Sequence, residues 1–201
     1  MKWASDIGLL LHASSDVTAL GLNLRACRYF NAKNRITFDI GFGADLSSKD
    51  VGRFSYRING GPLQHDGKYE LKHNIFPLLL GYEYEWKLKS EKLRLRVGPV
   101  CGIAFINGSV THNPTVDNVP NTFRSESKSA LLAGANFGAR WNFIHVDKEG
   151  IKGMYVDFFI AALGSSTAKF EKLKSSEFNR NANTDVSLAG TRYVVAIGFL
   201  Y

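Results

Sequence analysis

Long stretches of alternating apolar and polar residues limit the fold of this chain most strongly. Over residues 76–86 every second side chain is apolar or aromatic, and after a short charged turn the same alternation runs through 93–99. A period of two is that of a β-strand, whose successive side chains point to opposite faces of the sheet. The alternation therefore predicts an all-β protein.

Eight such stretches can be placed, and the connections between them alternate in length. We predict strands near 5–12, 18–30, 35–46, 69–86, 93–106, 129–143, 154–163 and 191–201. Three connections are short: 31–34, 87–92 and 146–153. At the other end, three connections are long and polar: 47–68, 107–128 and 164–186. Only the first connection at that end, 13–16, is brief. Short turns at one end and long loops at the other are typical of a closed antiparallel transmembrane β-barrel. Residues 1–201 are predicted to form one barrel domain.

One face of the predicted strands is large, apolar and almost free of charge. Most of the stretches reach the length of about 9–11 residues that a tilted strand needs to cross a bilayer. Aromatic side chains gather at the short-turn ends, as they do at membrane interfaces. These aromatic residues are Tyr82, Tyr84, Trp86, Trp141, Phe143, Phe199 and Tyr201. We expect this face to contact lipid.

The opposite face alternates glycine and alanine with charges of balanced sign. Because a short turn joins the fourth and fifth strands, Glu83 and Glu85 are expected across from the two arginines of the next strand. The interior of an eight-stranded barrel is only wide enough for side chains to fill, so we expect a plugged lumen without an open pore. The predicted lumen ion-pair network comprises Arg25, Asp39, Glu83, Glu85, Arg94, Arg96, Arg140, Asp157 and Arg192.

Alternation alone also fits a soluble, lipocalin-like carrier whose apolar face points inward. The apolar face is too bulky for the interior of eight strands, whereas the charged face has the small residues that a crowded interior requires. No run of 18 apolar residues is present, so no transmembrane helix is predicted. The first residues, MKWASDIGLLLH, make a poor export signal because Asp6 interrupts the apolar part.

Charge and cysteine content argue against two other classes of protein. The net charge is +7, but the basic residues are dispersed and form no run, so we expect no nucleic-acid partner. The two cysteines, Cys27 and Cys101, lack the spacing of a metal site. Strand parity puts them on opposite faces, and we expect two free thiols, no metal and no cofactor.

The end of the chain, RYVVAIGFLY, resembles the C-terminal assembly signal of bacterial outer-membrane barrels, although that family more often ends in Phe. The stretch HNIFPLLLGYEYEW followed by LRLRVGPVCGIAF looks like the middle of the outer-membrane-protein β-barrel domain family. The resemblance implies a monomeric barrel in the outer membrane, in contact with outer-membrane lipid and assembled by the barrel-assembly machinery. The signal residues are Tyr193, Val195, Ile197, Phe199 and Tyr201.

The long loops are the predicted sites of recognition. Loop 47–68 contains RFSYRING, which is predicted to extend the rim as a hairpin and to offer a sheet edge to a host or surface ligand. Loop 164–186 is predicted either to contact anionic lipopolysaccharide or to be a flexible, solvated loop. The cations that would make the lipopolysaccharide contact are Lys169, Lys172, Lys174 and Arg180.

An enzymatic role has little support in the sequence. Lipid A deacylases of this size use a His-x-Ser-Asn pattern, and the nearest stretch, from His12 to Ser14, lacks the Asn and is predicted to lie at a loop. His65, His73, His112 and His145 lie in or near predicted loops and turns, without expected partners. We therefore expect a non-enzymatic barrel with an envelope-structural, adhesion or surface-recognition role. A small-solute porin, a lipid-modifying enzyme and a soluble carrier remain alternatives.

Overall fold

The chain forms a closed β-barrel in its computed structural model. The structure describes residues 2–56, 61, 64–88, 92–113, 123–145, 151–171, 173 and 184–201. The strands are β1 Lys2–Ser14, β2 Thr18–Tyr29, β3 Asn34–Asp45, β4 Lys49–Tyr56, β5 Gln64–Lys87, β6 Leu93–Asn113, β7 Phe123–His145, β8 Gly153–Ser165, β9 Thr167–Ala168, β10 Val186–Ser187 and β11 Gly190–Leu200.

Eight long strands make the barrel wall in the order β3-β2-β1-β11-β8-β7-β6-β5, and a β3–β5 pairing closes it. Every pairing in the wall is antiparallel. The first and last strands of the wall lie side by side, with Ile7 opposite Ile197. The predicted fold, a closed antiparallel barrel of eight strands, is confirmed. In the part of the chain that the structure describes, no helix is long and apolar enough to span a membrane.

The barrel is taller on one side than the sequence predicts. Strands β5, β6 and β7 have 24, 21 and 23 residues and continue several residues past the predicted ends on the long-loop side. Strand β4 pairs with the outer part of β5, from Lys49 opposite Leu71 to Tyr56 opposite Gln64, so the rim hairpin predicted for loop 47–68 is present. Strand β4 and the parts of β5, β6 and β7 on the long-loop side of Asn74, Asn107 and Ser127 form a sheet that rises above the rest of the wall. We call it the projecting sheet.

The outward face of the wall is apolar, as predicted. Leu20, Phe38 and Ile197 are 46%, 45% and 51% exposed, whereas Arg25 and Asp39 are buried. We call the outward apolar band the apolar belt. Its largest exposed members include Ile7, Leu9, Leu20, Leu22, Leu24, Phe38, Phe42, Phe76, Leu80, Phe105, Leu131, Phe137, Phe158, Val195 and Ile197.

The apolar belt ends at the base of the projecting sheet. Leu80 on β5 belongs to the belt and is 52% exposed. Six residues earlier on the same strand and face, Asn74 aligns with Asn107 of β6 and Ser127 of β7, and all three are exposed. A change from bulky apolar to small polar side chains along one outward face is the change expected where a strand leaves hydrocarbon for water.

The two thiols lie on opposite faces, as predicted. Cys27 is buried in the lumen, Cys101 is exposed on the apolar belt, and both are free.

Candidate functional site: the lumen and its loop-side mouth

A glutamate held by three arginines is the centre of the lumen. Glu83 Oε2 lies 2.6 Å from Arg35 Nη2 and 3.2 Å from Arg96 Nε, and Glu83 Oε1 lies 3.8 Å from Arg25 Nη1. The four side chains are at most 1% exposed. Buried charges are tolerated only when they are paired, so these residues constrain one another.

Asp157 connects this centre to the opposite wall of the barrel. Its Oδ1 accepts a short hydrogen bond from Arg96 Nη1, and its Oδ2 lies 3.8 Å from both Arg25 Nη1 and Arg140 Nη2. Arg25 also donates from Nε to Asp39 Oδ1 at 2.7 Å. The arginines therefore bridge carboxylates from β3, β5 and β8, which are separated in sequence.

Glu85 extends the network toward the short turns. Arg94 Nη1 donates to its Oε1 at 2.7 Å, and the Tyr29 hydroxyl donates to its Oε2 at 3.3 Å. Glu85 lies directly opposite Arg96 in register, yet the closest of its ion-pair distances is to Arg94. As expected, the two glutamates face the strand that carries the two arginines. The individual ion pairs do not follow the strand register, because the side chains reach along the lumen.

Arg192 is the exception among the predicted lumen residues. It is buried, but among the described residues no carboxylate lies within ion-pairing distance, and its hydrogen bond goes to Asn23 Oδ1. The prediction that Arg192 joins the ion-pair network is therefore wrong. Its strand position places it on the loop side of the carboxylates, beside His12, which is its neighbour in register.

Aromatic rings complete the lumen, and the sequence analysis missed them. The guanidinium of Arg25 lies 3.6 Å from the ring centroid of Phe159, and that of Arg140 lies 3.8 Å from the ring of Tyr155. Cation–π contacts of this kind are strongest when they are desolvated. The small residues on this face have a packing reason too: a Cβ at Gly138 would lie 2.8 Å from Phe159 Cβ and 2.9 Å from Arg96 Cζ.

The long loop after β8 folds over the open end of the barrel. Its described parts, residues 167–171, 173 and 184–188, are here called the mouth plug. Phe170 and Leu173 are fully buried, and a Cβ at Gly108 of β6 would lie within 3.0 and 3.1 Å of them. The plug packs in one apolar cluster with wall residues that include Val17, Tyr69, Leu71, Ile106 and Val110.

Polar contacts tie the mouth plug to the β1–β2 turn and join its two sides. The Ser187 N–H donates to Asp16 Oδ2 at 2.9 Å, and the Thr184 hydroxyl donates to the Phe170 carbonyl oxygen at 3.1 Å. A short β9–β10 pairing joins its two sides. The expectation of a flexible, solvated loop is wrong for this part, because its apolar side chains find a partner surface inside the projecting sheet.

Of the four residues predicted to contact lipopolysaccharide, one lies among the residues that the structure describes. Lys169 is exposed on the mouth plug, between the buried Ala168 and Phe170. Lys172, Lys174 and Arg180 lie outside the described residues. A contact between this loop and lipopolysaccharide therefore stays a prediction.

Two histidines are built into the interior. His73 is 2% exposed and its Nδ1 lies 3.2 Å from Asp45 Oδ2, so the prediction that it has no partner is wrong. His12 is buried within β1 rather than at a loop, and Ser14 uses its hydroxyl to donate to the Val17 carbonyl oxygen in the β1–β2 turn at 3.1 Å. His145 is exposed, and the side chains of His65 and His112 lie outside the described part.

The predicted assembly signal lies on β11, next to β1. Val195 and Ile197 are 52% and 51% exposed on the apolar belt, and Tyr193 and Tyr201 are exposed on the same face. Phe199 is half-buried opposite Ser5. Recognition of this segment by an assembly machinery stays a prediction.

Replacing Phe170 by alanine tests the packing of the mouth plug. Removing a fully buried Phe costs about 3 kcal/mol or more. This cost falls on the docked state of the mouth plug, so the population of the undocked state should rise about 100-fold. The measurement is the rate of trypsin cleavage after Lys169 in the folded barrel. Leu46→Ala, at an exposed apolar residue, is the control and should leave the rate unchanged. Equal rates in Phe170→Ala and in the parent would contradict the packing described here.

No protein-family model matches this sequence, and no curated protein is significantly similar to it. Among solved structures, the crystal structure of Ail, the attachment invasion locus protein of Yersinia pestis, is similar at 12% identity with a TM-score of 0.48, covering 100% of this chain and 98% of that chain. The crystal structure of Ail in complex with the heparin analogue sucrose octasulfate is similar at 12% identity with a TM-score of 0.45, covering 100% of this chain and 98% of that chain.

The outer membrane protein OprG of Pseudomonas aeruginosa is similar at 10% identity with a TM-score of 0.48, covering 100% of this chain and 95% of that chain. The fold is established by the chain's own strand order and by the polarity of the two faces of its wall, rather than by these similarities. Both agree with the resemblance seen in the sequence: the chain has the fold of a small eight-stranded outer-membrane barrel.

Proposed function

We propose that this chain is a bacterial outer-membrane barrel whose lumen is closed and whose role is structural or in surface recognition rather than enzymatic. The observation that carries the proposal is the inverted polarity of the barrel. Phe38 and Ile197 face outward while Arg25, Glu83 and Asp157 are sealed inside. In hydrocarbon, apolar side chains face out and charges must pair within the protein.

Membrane location is tested by fractionation and gel migration. A barrel assembled in the outer membrane should sediment with outer-membrane markers and migrate differently on a gel before and after boiling. The same barrel should leave the membrane only with detergent. Recovery of the folded chain from a detergent-free lysate, with binding of a fluorescent fatty acid, would instead support the soluble carrier.

A closed lumen argues against transport of small solutes. The ion-pair network crosses the lumen from wall to wall, and the mouth plug packs across its loop-side end. We expect no discrete conductance steps when the protein is inserted in a planar bilayer. Reproducible single-channel steps would support the porin instead.

The projecting sheet is the surface that a barrel of this kind offers for recognition. Among the described strands, β4 pairs only with β5, so its other edge is open for the addition of a partner strand. Lys49 and Asp50, at the start of this edge, are exposed. A protein ligand of the host or of a neighbouring cell surface is the partner class that this edge would take.

Deletion of residues 53–60 tests the recognition role. Cells that display the parent should adhere to a host-cell layer, and the deletion should abolish this adhesion while leaving heat-modifiable migration intact. Deletion of residues 114–121, of equal length in the β6–β7 connection, is the matched control. Undiminished adhesion by the 53–60 deletion would overturn the role of this edge.

The remaining parts of the proposal concern partners and chemistry. Lys169 would contact lipopolysaccharide, the β11 segment would engage the barrel-assembly machinery, and the barrel would act as a monomer.

Ser14 serves the β1–β2 turn, which leaves the nearest His–Ser pair without a free nucleophile. Mass spectra of lipid A from cells with and without the protein should be identical; a change in acylation would support the lipid-modifying enzyme.

A further inference from the structure

A cavity of about 940 Å³ opens at the short-turn end of the lumen, opposite the mouth plug. It lies at the short-turn ends of β2, β5, β6, β7 and β11, and its inner limit is formed by Tyr29 and Arg94. Tyr29 donates to Glu85, and Arg94 is paired with the same carboxylate, so the ion-pair network closes the cavity from above. Among the described residues, the inner end of the cavity is therefore closed on the side of the mouth plug.

The described residues that line this cavity carry one sign of charge. Lys87, Lys92, Arg94 and Lys152 line it, and its described lining includes no aspartate or glutamate side chain. Lys87 and Lys152 are exposed. Cations converging on a concave, partly desolvated surface concentrate anions there.

One hydrogen-bond donor at the inner part of the cavity has capacity to spare. Arg94 Nε is buried and makes no hydrogen bond to any residue that the structure describes, whereas Arg94 Nη1 donates to Glu85. Buried groups of this kind are usually satisfied by water or a ligand.

The rim of the cavity is apolar and aromatic. Phe30, Phe143 and Ile144 are 56%, 37% and 40% exposed, and Tyr201 also borders the opening. A ligand with an anionic end and an apolar body would satisfy both parts of the cavity, and so would a small anion that reaches only the cationic floor. The guanidinium fork and the ammonium groups match the oxygens of a phosphate.

We infer that this cavity is a binding site for phosphate-bearing anions, with Lys87, Arg94 and Lys152 as its cationic ligands. The phosphate could come from the headgroup of an anionic phospholipid or from a soluble phosphate compound. This site is at the end opposite the proposed recognition surface, and its binding of a soluble anion does not depend on membrane location.

The test uses the folded, full-length barrel and two phosphate probes. Binding of inorganic pyrophosphate is measured calorimetrically in a zwitterionic detergent. Retention of phosphatidylglycerol against phosphatidylcholine is measured by native mass spectrometry after release from nanodiscs of mixed composition. The variant is K87Q/K152Q, and the matched control is K72Q/K128Q, which removes the same charge from two lysines at the other end of the barrel. Arg94→Lys keeps a cation for Glu85 but removes the fork.

The parent and the control should bind at least one probe, and K87Q/K152Q and Arg94→Lys should each weaken that binding about 10-fold. Selective retention of phosphatidylglycerol alone would assign the lipid headgroup, pyrophosphate binding alone would assign a soluble source, and binding of both would support a site that reads the phosphate. Failure of the parent to bind either probe, unchanged binding by K87Q/K152Q, or an equal loss in K72Q/K128Q would overturn the inference.

Discussion

Replacing Glu83 by leucine should lower the free energy of unfolding by about 3–5 kcal/mol, which is the cost of breaking a buried ion pair by removing one partner. The carboxylate of Glu83 lies within 4 Å of arginines from three strands. Arg35 loses most, because its Nε and Nη2 donate to Glu83 Oε2 at 2.9 and 2.6 Å. The variant leaves these guanidinium groups buried without their common carboxylate.

The measurement is equilibrium unfolding by urea of the barrel reconstituted in lipid vesicles. Glu171→Leu removes an exposed carboxylate from the mouth plug and is the control, with an expected change within about 0.5 kcal/mol. Glu83→Gln keeps the shape and should show most of the same loss, which separates charge from packing. An unchanged unfolding midpoint for Glu83→Leu would contradict the central position of Glu83 in the lumen.

The second large effect concerns the outward face. Replacing Leu80 by arginine should cost about 2–4 kcal/mol, since a charge on the lipid face of a barrel is most destabilising near the middle of the bilayer. Asn74→Arg introduces the same side chain on the same strand and face, six residues nearer the projecting sheet. There the outward residues are polar, and the expected cost is about 0–1 kcal/mol.

The difference between these two variants separates a membrane barrel from a soluble one. Both side chains are exposed, so in water neither substitution would bury a charge and both would cost little. Urea unfolding in vesicles supplies both free energies. Equal costs for Leu80→Arg and Asn74→Arg would mean that the apolar belt does not contact hydrocarbon.

Strand parity accounts for most of what could be predicted from the sequence. A period of two fixes which side chains share a face, and it separated Phe38 and Ile40 from Asp39 correctly. Arg35 shows what parity could still have found. It occupies the same face as Asp39 near the start of β3 and is the principal partner of Glu83, yet it is absent from the predicted ion-pair network.

The mouth plug could not be predicted because its partners are distant in sequence. Phe170 and Leu173 belong to a loop of mostly polar composition, and no local period indicates where their side chains go. The same reason explains the greater height of β5–β7. Beyond the bilayer the outward face of a strand can be polar, and a loop can cover its inward face. The alternation that marks a membrane-spanning strand then weakens, although the hydrogen-bonded pairing between strands continues.

Site-directed spin labelling tests the polarity of the barrel most directly. Nitroxides at Leu20, Phe38 and Ile197, each introduced in a cysteine-free barrel in bilayers, report collisions with apolar oxygen and with a water-soluble nickel chelate. Oxygen should dominate at all three sites, and the reverse should hold for a nitroxide at Asn74. Labels at Leu20, Phe38 and Ile197 that collide freely with the nickel chelate would contradict a barrel with its apolar side chains in lipid and its charges enclosed.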